Sequence, residues 1–140
     1  FIPVGTTALR ALESLYWSGV WLLEERPVEN GILVIPKEFA YELRTTISVK
    51  DSLEAIIRYL EANNIHQWVA ETEILIMPGY TLHFCDGMVT NFHQPKSTLL
   101  VLIAALIGDD WKRVYDAALT NNYRFLSYGD SSLLFKKKDI

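Results

Sequence analysis

The chain of 140 residues has a single cysteine, Cys85, so no disulfide can form within it, a usage that fits a reducing compartment. No apolar run approaches the roughly 20 residues that a membrane-spanning helix needs. The longest, residues 99–107, reads as a buried helix. Positive charge is not in excess: 13 Lys and Arg against 17 Asp and Glu leave a formal net charge of −4. That argues against nucleic-acid binding driven by net charge. One local basic run exists, Lys136, Lys137 and Lys138, and reads as a solvated tail. No Gly-rich phosphate loop follows a first strand, which disfavours an ordinary methyltransferase. His66 and His83 have no ligand-like spacing to other His or Cys residues, so no metal site is expected. Internal repeats, low-complexity linkers and a signal-peptide pattern are also lacking.

Half of the residues are hydrophobic, with four Trp, seven Tyr and six Phe. That is a globular composition, long enough for one α/β domain over residues 1–140 with a core of its own. Residues 1–4 look like the end of a strand, followed by a helix that Thr6 or Thr7 caps. Leu9, Leu12, Leu15 and Tyr16 would share its buried face, with Arg10 and Glu13 opposite. Residues 32–35 read as a strand. Residues 51–63 read as a helix with Leu53, Ile56, Ile57 and Leu60 inward, capped by Ser48 or Asp51 and ended by Asn63 and Asn64.

Further strands are expected at 73–77, 81–85, 88–92, 125–128 and 132–135. Pro78–Gly79 reads as a turn, and Asp86–Gly87 as a tight hairpin turn. An apolar helix should run from about Pro95 to Ile107, with Pro95 at its first position and Gly108 as its stop. Another follows from Asp109 or Asp110, carrying Trp111, Val114, Tyr115 and Ala118. The alternation predicts an α/β fold, a mixed sheet with flanking helices.

The most informative stretch is DGMVTNFHQPKSTLL, residues 86–100. It gathers Asp86, Asn91, His93, Lys96, Ser97 and Thr98 around one expected helix N-terminus. Free N–H groups and a positive partial charge suit that end to an anion.

Three segments carry a likeness to a known family: VGTTALRALES at 4–14, PGY at 78–80 continuing through Asp86 to TNFHQPKSTLL at 90–100, and YRFLSYGD at 123–130. In order and content they resemble the S-adenosylmethionine:tRNA ribosyltransferase-isomerases of queuosine biosynthesis. The resemblance implies that S-adenosylmethionine acts as ribosyl donor, with no metal or redox cofactor. The acceptor would be 7-aminomethyl-7-deazaguanine in the tRNA anticodon, and the product epoxyqueuosine. It also implies a cytoplasmic enzyme without a membrane partner. Family chains extend upstream with a β-barrel-like domain, and this chain opens on Phe1 inside an apolar segment. It is therefore expected to be the C-terminal portion of such an enzyme, part of the family's main domain. Two departures stand out: Gln94 where the family turn carries Leu, and a longer stretch between Ser14 and Glu71.

That chemistry needs groups that hold a sulfonium, anchor a carboxylate, remove a proton beside sulfur and grip RNA. His93 is the proton-transfer candidate, since imidazole titrates near neutrality, or else a strut closing the turn before Pro95. Asp86 and Asp130 are candidates to face a cation, or simply turn residues. Asn91, Lys96, Ser97 and Thr98 are candidate ligand contacts at the helix end, where Ser97 or Thr98 also suits capping. Thr6, Thr7 and Arg10 occupy the other strand-to-helix junction. Tyr80 and Tyr128 are candidates to stack on adenine or to face the sulfonium, or else core residues. Cys85 reads as a buried apolar residue. The competing function is a non-catalytic RNA-binding or assembly module derived from the same family.

Overall fold

The computed structural model describes residues 1–43 and 45–137, so Lys138 of the basic run lies outside the described residues. Two compact units emerge, Arg10–Leu75 on one hand and Phe1–Leu9 with Ile76–Ile140 on the other.

The unit Arg10–Leu75 holds most of helix α1 (Thr6–Leu23), strand β1 (Ile32–Ile35), the short α2 (Phe39–Glu42), helix α3 (Val49–Ala62) and strand β2 (Val69–Thr72). β1 and β2 pair in parallel, Ile32 opposite Val69 and Ile35 opposite Thr72. Trp17 is in the core, edge-on to Tyr16 and Phe39, and Val20, Leu33, Ile35 and Ile74 are fully buried as well.

Two expectations change in α1. α1 starts at Thr6, with the Gly5 carbonyl accepting from Leu9 N–H, so Gly5 takes the cap position instead of Thr6 or Thr7. Glu13 is fully buried, not solvent-facing, and residues 13–20 are all buried except the half-buried Leu15. A one-faced stripe assumes water on the other side, and this segment of α1 has none. Its small polar groups are paired: Ser14 Oγ with Thr72 Oγ1, and Ser18 Oγ donating to the Ser14 carbonyl.

α3 is capped by Ser48, whose Oγ accepts from Asp51 N–H at 3.0 Å, and Asn64 follows it at φ +53°. Its buried face is Ser52, Ala55 and Ile56, while Ile57 is 52 % exposed. The expected stripe is rotated because Gly19 of α1 approaches Ser52 so closely that only small side chains fit between the helices.

Residues 73–77 alternate in burial at Ile74, Leu75 and Ile76 as a strand would, yet they form no ladder. Side chains take the carbonyls instead: Arg10 Nε donates to Ile74 O at 3.1 Å and Tyr41 Oη to Leu75 O at 2.7 Å. The true strand, β2, lies just before them.

The other unit holds β3 (Gly87–Asn91), α4 (Thr98–Ile107), α5 (Asp110–Thr120) and β4 (Ser131–Phe135). The expected hairpin at Asp86–Gly87 is absent. Residues 81–85 form no strand, and Gly87 opens β3, which pairs antiparallel with β4 from Gly87–Phe135 to Asn91–Ser131. Gly87 is needed for that close approach, since a Cβ there would strike the Leu134 carbonyl. Residues 1–5 run along β3, with Asp86 N–H to Phe1 O, Val89 N–H to Pro3 O and Gly5 N–H to Val89 O. The Pro78–Gly79 turn is closed by Tyr80 N–H to Met77 O at 3.0 Å.

α4 starts at Thr98, not at Pro95, because Lys96 sits at φ +62°, outside helical space. Gly108 ends it, and Leu100, Leu102, Ile103, Leu106 and Ile107 are buried. Residues 125–128 form a turn instead of a strand, with Leu126 at φ +69°. Parallel and antiparallel pairs are thus both present, in small sheets with flanking helices: an α/β fold. No described helix is long and apolar enough to cross a membrane.

Candidate functional site

The polar residues of the 86–100 stretch divide between the two ends of β3. Asp86 precedes the strand, roughly 16 Å from Asn91 at ~3.3 Å per residue, so it does not join the others at the helix end. It is an exposed ion-pairing group, with Lys136 Nζ at 3.0 Å from its carboxylate.

At the other end the chain leaves β3 into a tight polar turn. His93 is half-buried, with Nε2 at 3.0 Å from Thr90 Oγ1 and its backbone N–H donating to Tyr115 Oη at 3.0 Å. Burial pushes its pKa below the ordinary imidazole value. A neutral ring at pH 7 follows, the form that accepts a proton. Among the described residues Nδ1 has no hydrogen-bond partner. Burial raises the Tyr115 hydroxyl, which keeps it protonated.

Ser97 is the cap of α4: its Oγ accepts from Leu100 N–H at 3.3 Å and donates to Gln94 O at 2.9 Å. The Gln94 contact is made by backbone, so the departure from Leu at that position leaves the turn intact. Lys96 and Thr98 are exposed beside it.

Asn91, at the end of β3, and Asp130 both bind a second loop, residues 124–130. The Asn91 side-chain amide donates to Leu126 O at 2.8 Å and to Ser127 O at 3.3 Å. Asp130 is gripped by Arg124, through the backbone N–H at 2.7 Å and the guanidinium at 3.0 Å, and these hydrogen bonds lower its pKa. Both side chains thus hold loop 124–130 in place. Asn91→Ala is expected to destabilise the chain by about 1–2 kcal/mol, the scale of two lost hydrogen bonds. Thermal unfolding checks this, and an unchanged melting temperature would release Asn91 from a structural role.

The remaining candidates are scattered. Tyr80 is buried with its ring edge-on to His83, whereas Tyr128 is 98 % exposed. Thr6 and Thr7 occupy the first turn of α1, and Arg10 belongs to the other unit, where it holds Ile74. Cys85 is buried, as read from the sequence. Among the described residues no cluster of three or more His, Cys, Asp or Glu could hold a metal ion.

Sequence reasoning missed Thr90, Tyr115 and Arg124, which position His93 and Asp130. Tyr115 lies 22 residues from His93, on α5, so no local signal could pair them. It also missed a cleft of about 770 Å³ beside Pro95 and Lys96, walled by α5 and residues 125–126.

The chain is thus an α/β fold that gathers a histidine, a lysine and a capped helix start where a strand ends. Comparison with known proteins supplies the family. Residues 23–134 match the model of the queuosine biosynthesis protein family, and the chain belongs to that family. It is 38 % identical over 134 residues to the S-adenosylmethionine:tRNA ribosyltransferase-isomerase of Cereibacter sphaeroides, covering 95 % of this chain and 26 % of that protein. The protein of the same name from Roseobacter denitrificans is 47 % identical over 76 residues, 54 % of this chain and 22 % of that one. Among solved structures, S-adenosylmethionine tRNA ribosyltransferase from Thermotoga maritima aligns with a TM-score of 0.55 and 28 % identity, over 94 % of this chain and 32 % of that one. The chain spans about a quarter of the length of these curated relatives.

Proposed function

We propose that this chain is part of a cytoplasmic enzyme that moves the ribosyl moiety of S-adenosylmethionine onto 7-aminomethyl-7-deazaguanine in tRNA, giving epoxyqueuosine. The observation that supports the reading is the 38 % identity along 95 % of the chain to a protein named S-adenosylmethionine:tRNA ribosyltransferase-isomerase; the acceptor base and the product come from the family resemblance. S-adenosylmethionine is a substrate here, and the proposal includes no metal or redox cofactor.

In this reading His93 takes the proton beside the sulfonium, as a neutral ring held by Thr90 and Tyr115. Lys96 and the first amides of α4 bind the methionine carboxylate or an RNA phosphate. Asn91, Asp130 and Arg124 keep the adjoining loop in register.

The test uses the full chain that carries these residues, tRNA bearing 7-aminomethyl-7-deazaguanine, and donor labelled separately in ribose and in methyl. Ribose label should enter the tRNA while methyl label does not. Methyl transfer, or tight salt-dependent tRNA binding without any ribosyl transfer, would overturn the proposal, the latter in favour of an RNA-binding module.

A further inference from the structure

Thr90 and His93 form a pair whose geometry is fixed from several sides. Thr90 is a buried residue of β3, opposite Ser132 of β4, whose Oγ donates to its carbonyl at 3.2 Å. Three residues on, the backbone N–H of His93 donates to Tyr115 Oη. Phe92, just before His93, is buried against the rings of Tyr115, Tyr123 and Phe125, and its carbonyl accepts from Leu126 N–H. The main chain that carries the imidazole is therefore anchored. The ring itself is held by Thr90 Oγ1, 3.0 Å from Nε2. A carboxylate or a backbone carbonyl usually orients a functional histidine, but among the described residues neither is bonded to this ring. Tyr115 is the titratable group bonded to this residue, and it meets the backbone, not the ring.

A neutral imidazole carries one proton. With that proton on Nδ1, the Thr90 hydroxyl would donate to Nε2, and neither ring nitrogen would keep a free electron pair. With the proton on Nε2, Nε2–H donates to Thr90 Oγ1 and the pair on Nδ1 stays open. Only the second arrangement survives charging. Once Nδ1 has taken a proton, the same Nε2–H still meets the same oxygen, now in a stronger, charge-assisted bond. No group has to turn during the transfer, which is the condition for preorganised stabilisation.

We propose that Thr90 is a positioning residue whose hydroxyl oxygen accepts from Nε2–H of His93, leaving Nδ1 as the atom that takes the proton. The inference rests on the base role proposed above for His93. In the step itself the C–H bond beside the sulfonium breaks and its electron pair stays on carbon. The proton forms the Nδ1–H bond of an imidazolium, which Thr90 continues to hold.

The experiment uses the full chain. Nitrogen NMR of isotope-labelled histidine, with His93→Gln to identify the signals, should show a protonated Nε2 and an unprotonated Nδ1 in the neutral wild-type ring. Thr90→Val keeps the shape and removes the acceptor. It should lower kcat about 10- to 100-fold at unchanged KM for donor and tRNA, the scale of one hydrogen bond to a charged group. Its acidic limb in kcat should move down by about one pH unit, because the imidazolium has lost its partner. Thr90→Ser should restore most of the rate and the position of that limb. Thr90→Val added to His93→Gln should cost nothing further, since Thr90 acts through the ring.

A neutral ring protonated on Nδ1 would overturn the proposal, and that spectrum decides it even if Thr90→Val does not fold. So would a folded Thr90→Val with the wild-type rate and acidic limb. An equal further loss in the double variant would overturn it too, as the sign of a role independent of His93. If His93→Gln turns over like wild type, the base reading fails by itself. The nitrogen spectra of wild type and Thr90→Val then still decide whether Thr90 sets the tautomer.

Discussion

Gly19→Ala should lower the melting temperature by roughly 10 °C, the largest loss expected from adding one methyl group to this chain. Gly19 lies in α1 against Ser52 of α3, and a Cβ there would intrude on the Ser52 Oγ, carbonyl oxygen and carbonyl carbon. Rotation of a side chain cannot relieve a clash with backbone, so the helices must move apart. That movement also breaks the buried bond from Ser52 Oγ to Tyr16 O, 2.7 Å long. Overpacking costs about 1–3 kcal/mol and a stranded buried polar group about as much again. Alanine's better helix propensity returns only about 1 kcal/mol. The net loss is therefore about 1–5 kcal/mol. Thermal unfolding followed by circular dichroism checks it, and a melting temperature raised by the propensity gain would mean that the two helices do not meet at Gly19.

His93→Gln in the full chain should reduce kcat for ribosyl transfer by about 10²- to 10⁴-fold, the range for losing a positioned general base. Glutamine can keep a hydrogen bond to Thr90 but moves no proton, so the loss separates proton transfer from support of the turn. Wild-type turnover in a folded variant would remove His93 from the chemistry. The pH dependence has a definite sign. Burial lowers the folded-state pKa of His93, so above about pH 6.5 the ring is neutral in both states and adds nothing to the pH slope of stability. Below that the unfolded chain takes up the proton first, and stability falls as the pH drops towards the folded value. The His93→Gln variant should lose this component of acid sensitivity. The acidic limb of the wild-type rate profile should lie below the ordinary imidazole value.

Short-range signals were legible in this chain wherever the chemistry that sets a boundary lies within a few residues of it. The Ser48 cap, the Gly108 stop, the Asn63–Asn64 end and the Pro78–Gly79 turn all came from residues that set the backbone within a few positions of themselves. β1 and β4 were legible from apolar runs of the right length, and the family from three motifs taken in order. The errors share a different cause. Asp86–Gly87 has the composition of a hairpin turn, but Gly87 is a glycine because β4 approaches it. Residues 73–77 alternate as a strand does, but Arg10 and Tyr41 satisfy carbonyls where a neighbouring strand would have done so.

The sequence by itself determined the α/β class, the absence of an internal disulfide and the concentration of polar groups in residues 86–100. Each depends on composition or on local pattern. Tertiary structure decided what those groups do. It sent Asp86 to the far end of β3, set Tyr115 and Thr90 around His93, and clamped Asp130 with Arg124. It also turned α3 so that Ser52 faces Gly19, and opened the cleft at Trp111. All of these depend on contacts between residues far apart in the chain, which no window of sequence contains.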